Sequence, residues 1–161
     1  AKIMSKWAVI LFALIFKCAH VESTACNSGW MQYGNKKYCL SSDDHTFTGC
    51  QEEVCGEVGG TLVTIEDASE NAFLKNSLLG HHFAFIGLFE AGADESGDWS
   101  WVDGHTSDYT NWEQGEPNNW CLDEDCAVVG PDSSFKGWID ASCNIMMRCL
   151  CQDLSTPSYE Y

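Results

Sequence analysis

Gly115-Glu116-Pro117-Asn118-Asn119-Trp120-Cys121-Leu122-Asp123-Glu124-Asp125-Cys126 gathers carboxylates, carboxamides and a proline into one short run. Trp138-Ile139-Asp140 follows soon after. Calcium is a hard cation that takes about six to eight oxygen ligands, mostly carboxylates and amide carbonyls held on loops. This run supplies such oxygens densely. The bond at Glu116-Pro117 is of the X-Pro kind that adopts cis, which would turn the flanking Glu and Asn toward one ligand. A bound calcium with open coordination positions can accept the vicinal hydroxyls of a sugar.

Outward from this run, regular periodicity is weak all the way from Glu90 to Pro131, where Gly, Asp, Glu, Asn and Trp dominate. An irregular stretch of that length inside a domain is uncommon and is usually functional. The flanks are regular. Phe83-Ala84-Phe85-Ile86-Gly87-Leu88 reads as a buried strand, and strands are expected again at Cys126 to Val129, Lys136 to Ile139 and Met146 to Cys151. Upstream, Gly29 to Cys39 reads as two short strands about a Gly34-Asn35 turn. Thr46 to Val58 is helix-compatible and stops at Gly59-Gly60. Leu62, Val63 and Ile65 lead into Asp67-Ala68-Ser69-Glu70, a capping-box-like start for a second helix. That helix has Ala72, Phe73, Leu74 and Leu78 on its apolar side and ends at Gly80. Two helices, short strands and one oversized loop make an α+β domain.

Lys2 and Lys6 precede an apolar run from Trp7 to Phe16, and Ser23-Thr24-Ala25 offers small residues for cleavage. Residues 1–25 are therefore expected to be a signal peptide, because the apolar run is far short of the about twenty residues that span a bilayer. Residues 26–151 are expected to form the domain and 152–161 a frayed polar tail. Loss of Lys2, Lys6, Lys17 and Glu22 with the leader takes the net charge from -16 to -18. So acidic a surface repels phosphate backbones and anionic lipid, which argues against nucleic-acid and membrane partners. Nine cysteines remain after Cys18 leaves, a density that reads as a disulfide framework in a secreted, extracellular chain. Paired CxxC spacing, which zinc would want, is missing.

The order of motifs resembles the C-type lectin-like domain over essentially all of Cys26 to Cys151. Cys26-x-x-Gly29-Trp30 and Cys39 look like its N-terminal hairpin, and Cys55 with Gly59-Gly60-x-Leu62-Val63 like the end of its first helix. Phe85-Ile86-Gly87-Leu88 stands where the family has Trp-Ile-Gly-Leu. Trp99-Ser100-Trp101-Val102-Asp103-Gly104, Asn111-Trp112, Gly115-Glu116-Pro117-Asn118-Asn119, Cys126, Trp138, Asp140, Cys143 and Cys151 then follow in the family's order.

The resemblance implies disulfides Cys26–Cys39, Cys55–Cys151 and Cys126–Cys143, stapling two helices, small antiparallel sheets and a long calcium-site loop. It places the sugar-linked calcium (Ca2+) on Glu116, Asn118, Glu124 and Asp140, which would also be the carbohydrate-binding residues. The family's Asn before that Asp is Ile139 here, which has neither a ligand oxygen nor a hydrogen-bond donor. An auxiliary calcium would draw on Asn119, Glu124 and Asp125, with Glu90 and either Asp94 or Glu95. Glu-Pro-Asn in this family goes with mannose-type glycans.

Three cysteines stay outside the implied pairs. Cys50 precedes Cys55 by five residues and Cys149 precedes Cys151 by two, offsets that match along a helix (about 1.5 Å each) and a strand (about 3.3 Å each). They suggest a Cys50–Cys149 bridge, while the α-helical step rotates Cys50 by roughly 140° from Cys55 and opposes it. Cys121 is left over, which suggests a disulfide-linked homodimer or a free thiol.

Plainer readings stand beside these. Trp99, Trp101, Trp112 and Trp138 read as core beneath the loop, whereas Trp120 lies where it could flank a sugar. His81-His82 reads as an exposed turn. Zinc-protease, nucleophile-elbow and phosphate-loop motifs are missing from the sequence, and Glu116 with Glu124 is better explained as a metal-ligand pair than as a glycosidase pair, so no enzyme is expected. The sequence thus points to a secreted calcium-dependent lectin of mannose type. The competing reading is the same domain without sugar binding, acting through protein or surface contacts.

Overall fold

The Gly34-Asn35 pair turns β1 (Met31–Tyr33) back onto β2 (Lys36–Leu40) in the register Gln32↔Lys37. The turn needs Gly34 at φ 61°, a region that strains other residues. This is a computed structural model, and it describes residues 26, 29–92, 97–120 and 123–154. The expected signal peptide lies outside the described residues.

The first helical run, α1 (47–58), begins where the Thr46 side chain accepts from Gly49 N. It opens as an α turn (Phe47–Gly49), widens to π geometry (Cys50–Cys55) and closes as a 3-10 turn (Gly56–Val58). Gly59 stops it at φ 76°, as the Gly-Gly pair suggests. The widening settles the cysteine question. In π geometry hydrogen bonds run from i to i+5, as Gly56 N to Gln51 O does, so residues five apart share a face. Cys50 and Cys55 both reach the last strand, and the rotation expected of an ideal α-helix does not arise. The bridges are Cys26–Cys39, Cys50–Cys149, Cys55–Cys151 and Cys126–Cys143. Cys121 is outside the described residues.

The second run, α2 (68–79), is α over Ala68–Leu74 and π over Lys75–Leu79. Asp67 caps it by accepting from Ser69 N and Glu70 N, both at 2.8 Å. Its buried face departs from the expected one. Leu74 and Leu79 are buried, Phe73 and Leu78 half-buried, Ala72 exposed, and three polar residues, Glu70, Asn71 and Lys75, go inside. Each has partners that make burial tolerable. Glu70 accepts from Tyr38 OH, from Lys36 Nζ at 3.0 Å and from Glu66 N at 2.7 Å. Asn71 Oδ1 accepts from Trp138 Nε1 at 2.8 Å. Lys75 Nζ donates to the carbonyls of Phe135 and Lys136.

The remaining strands are β3 (Gly60–Leu62), β4 (Ala84–Glu90), β5 (Trp99–Trp101), β6 (Cys126–Val129), β7 (Trp138–Ala141) and β8 (Arg148–Asp153). They join into one mixed sheet of order β1-β2-β8-β4-β6-β7, with β3 on β8 and β5 on β4. The expected small antiparallel sheets are thus connected by one parallel pairing, Ala84↔Arg148 and Phe85↔Cys149. A parallel pair needs a long crossover, and the loop with β5, β6 and β7 supplies it. β8 continues to Asp153, past the boundary expected at Cys151. Gln152 is buried there, with its Oε1 accepting from Thr64 N and its Nε2 donating to Asp103.

Trp101 and Trp138 lie in the core, with Trp99, Tyr109 and Trp112 packed against it. Trp138 makes edge-on contacts with Trp101, Tyr109 and Trp112. The long loop therefore rests on an aromatic floor. Among the described residues no helix is long and apolar enough to cross a membrane.

Candidate functional site

The acidic loop is anchored before it reaches its acids. Trp138 N donates to Asn111 O at 2.6 Å, and Glu113 N donates to Trp138 O at 2.8 Å. The Glu113 carboxylate accepts from Lys136 N at 2.7 Å, Gly137 N at 2.9 Å and Gln114 N at 3.1 Å. Those N–H groups hold its pKa below the usual carboxylate value. A Cβ at residue 137 would lie 2.3 Å from Glu113 N, so only glycine permits the approach. Glu113 is a positioning residue that the sequence did not single out. Its role depends on contact with a segment more than twenty residues later, and no local pattern signals that.

Beyond this clamp the Glu116-Pro117 bond is cis. Asn118 Nδ2 donates to both Glu116 oxygens at 2.7 Å. Asp140, buried on β7, accepts the backbone N–H of Asn118 at 3.1 and 3.0 Å and that of Asn119 at 2.6 Å. Asn119 takes φ 45°, a left-handed conformation that Asn tolerates better than most residues. Its Oδ1 accepts from Glu124 N at 3.2 Å, and Glu124 Oε2 accepts from Trp120 N at 2.8 Å. The structure thus links Glu116, Asn118, Asn119, Glu124 and Asp140 through one chain of hydrogen bonds.

Removal from water and the adjacent Asp140 carboxyl push Glu116 up to about 7, against the pull of the Asn118 amide. No Lys, Arg or His ion pair reaches Glu116, Glu124 or Asp140 among the described residues. Three carboxylates without a protein cation among the described residues, beside two carboxamides, form a donor set of the hard oxygen kind that calcium takes. The residues fit that ion. Among the described residues, the only trio of Cys, His, Asp or Glu ligand atoms mutually within 4.8 Å is Cys26, Cys39 and Cys151, all held in disulfides. An ion between the wider-set carboxylates would draw on the Asn118 and Asn119 carbonyls too.

The auxiliary candidates are gathered less closely. Glu90 N donates to Asp125 O at 2.8 Å, while the Glu90 carboxylate is occupied by Gly97 N at 2.7 Å. Burial, then Glu90 and Asp123, raise the Asp125 pKa. A cavity of about 210 Å3 lies between Glu90, Trp99, Pro117, Asn118, Asn119 and Asp140. Asp94 and Glu95 are outside the described residues.

Ile139 is half-buried and packs against the apolar cluster that contains Phe85 and Val128. Strand alternation sets it on the face opposite Trp138 and Asp140. Trp120 is 73% exposed, its backbone tied to Glu124 and its ring left in solvent. The rings of His81 and His82 lie 4.2 Å apart. Burial, His81 and Arg148 lower the His82 pKa.

The family model described as "Lectin C-type domain" matches residues 43–153. The chain is 33% identical over 151 residues to C-type lectin lectoxin-Lio3 of Erythrolamprus poecilogyrus, covering 90% of this chain and 92% of that one. Among solved structures it is similar to the cow C-type carbohydrate-recognition domain of CD23, determined in the presence of a GlcNAc2Man3 oligosaccharide. The TM-score is 0.69 at 27% identity, over 83% of this chain and 98% of that one. It is also similar to a calcium-independent type II antifreeze protein, with TM-score 0.68 at 25% identity over 83% and 98%.

Proposed function

Because the chain belongs to the C-type lectin domain family, we propose that it is a secreted, calcium-dependent carbohydrate-binding protein of mannose-type preference. The observation that carries the reading is the Glu116–Asn118 pair. Both Glu116 oxygens meet the Asn118 amide at 2.7 Å, so an acceptor and a donor stand side by side on the loop. A sugar hydroxyl inserted between them would donate to Glu116 and accept from Asn118. Glu124 offers an acceptor to the neighbouring hydroxyl, and Ile139 offers it no donor. Bound calcium would supply the positive charge that holds the two hydroxyl oxygens. Asp140 keeps the loop backbone in place from below, and the Glu113 clamp fixes where the loop begins.

The test is retention of the folded protein on immobilised mannose in calcium, with release by chelator. Failure to bind in calcium would sink the lectin reading. One observation favours the second reading, a lectin-like domain acting through protein or surface contacts. Ile139 is committed to apolar packing, so residue 139 supplies no donor. No nucleic-acid or membrane partner is proposed for so acidic a chain, and a covalent dimer through Cys121 is part of the proposal. Neither reading includes catalysis.

A further inference from the structure

A groove of about 320 Å3 lies between α2 and the segments carrying Tyr109, Asn111, Asp132 and Lys136. That volume falls within the roughly 300–1,000 Å3 of small-molecule sites. Asn71, only 7% exposed, is one of its walls. An indole N–H can only donate, so the Trp138 Nε1 contact fixes the Asn71 amide with its oxygen toward the tryptophan. The NH2 remains, and among the described residues it meets no acceptor. Among the described residues Arg148 Nε is the one fully buried side-chain N or O atom without a hydrogen-bond partner, so the Asn71 NH2 is open to the groove and free to meet a ligand oxygen.

The charge in the groove points the same way. Lys75 Nζ is already saturated by Phe135 O at 3.1 Å, Lys136 O at 2.7 Å and Asp132 Oδ1 at 2.5 Å. Its charge is matched by Asp132. Lys136 lines the same groove, is exposed, and has no ion pair among the described residues. It is one of only five Lys or Arg beyond residue 25, in a chain with 24 Asp and Glu. Beside Asp132, whose charge Lys75 matches, an uncompensated cation, the Asn71 NH2, the Asn76 amide and the Tyr109 phenol give the groove donors to offer. Neutral sugars offer donors and acceptors about equally, whereas a carboxylate or sulfate offers acceptors alone.

We propose that this groove is a second, calcium-independent site for an acidic sugar, whose carboxylate or sulfate meets Lys136 and whose other oxygens meet the Asn71 amide. The inference does not rest on the calcium-loop reading.

The test is calorimetric titration of the full chain in chelator with glucuronate, with a 6-sulfated hexose as a second arm and glucose as the neutral control. Saturable binding of either acid is expected, with glucose at least about tenfold weaker. Lys136→Glu should lower acid-sugar affinity about tenfold. Asn71→Asp keeps an acceptor for Trp138 and removes the NH2, and should weaken binding likewise. The proposal is overturned by wild type that binds neither acid, or by glucose binding as well as glucuronate. Undiminished affinity in a folded Lys136→Glu protein also overturns it, as does acid-sugar binding that vanishes on removing calcium.

Discussion

Asp140 Oδ2 accepts the Asn119 backbone N–H at 2.6 Å, from a residue that is 4% exposed. The same carboxylate takes the Asn118 N–H through both oxygens. A strand of the sheet therefore grips the acidic loop by its backbone, and the Glu116 and Asn118 side chains pair with each other beyond that grip. Asp140 serves as a structural post as well as a proposed metal ligand.

That double role predicts two separable losses in Asp140→Ala. Two part-buried N–H donors lose a charged acceptor, which destabilises by about 1–3 kcal/mol even without metal. Calcium should then raise the melting temperature little or not at all. Asp140→Asn keeps one acceptor oxygen and should recover part of the metal-free stability but not the calcium effect. Full calcium stabilisation of either variant would remove Asp140 from the ligand set.

Acid should act through Glu116. Its folded pKa is about 7, above the ordinary 4.5, so between those values the folded state holds a proton that the unfolded state has lost. The resulting stabilisation is complete below about 4.5 and gone above about 7, so metal-free stability from this group falls as pH rises through that window. Calcium must displace the same proton. The calcium-induced rise in melting temperature should therefore grow across the window and level off above it. An equal rise at pH 5 and pH 8 would contradict this.

Much of this architecture was legible because its motifs depend on local chemistry. Gly34 and Gly59 mark turns that need left-handed backbone, Asp67 marks a cap, and the tryptophans mark the floor under a loop too polar to be core. What was not legible depends on tertiary approach. The π widening at Cys50–Cys55 arises where α1 meets β8, and periodicity drawn from an ideal helix cannot show it. Burial of Glu70, Asn71 and Lys75 rests on Tyr38, Trp138 and two carbonyls from distant segments. The acidic loop announced its own oxygens, but the Glu113 clamp needed Gly137 to come close first.

The two bridges from α1 to β8 should be redundant. Cys50–Cys149 and Cys55–Cys151 close nearly the same loop, with separations of 99 and 96. The first to form removes the entropy of about a hundred residues, about 4.7 kcal/mol in the chain-entropy relation. The second then closes only a short additional ring, worth about 2–3 kcal/mol. Replacing either pair with alanines should cost about 2–3 kcal/mol in denaturant unfolding, and replacing both about 7. Additive losses of equal size would refute the nesting.

Ile139→Asn sets two effects against each other. The new amide can give a donor to the second sugar hydroxyl and an oxygen to the metal only by leaving the apolar face on which Ile139 sits, opposite Asp140, and turning toward the loop. A hydrogen bond in a charged site contributes about 1.5–3 kcal/mol, which is roughly tenfold to a hundredfold in mannose affinity. Against this, Ile139 leaves the cluster around Phe85 and Val128. Loss of a half-buried aliphatic side chain destabilises by about 1–2 kcal/mol. The expected variant melts lower without calcium, gains more from calcium than wild type does, and binds mannose more tightly by calorimetry. A folded variant with lower melting temperature and no gain in calcium or mannose affinity would mean that residue 139 points away from the ligand.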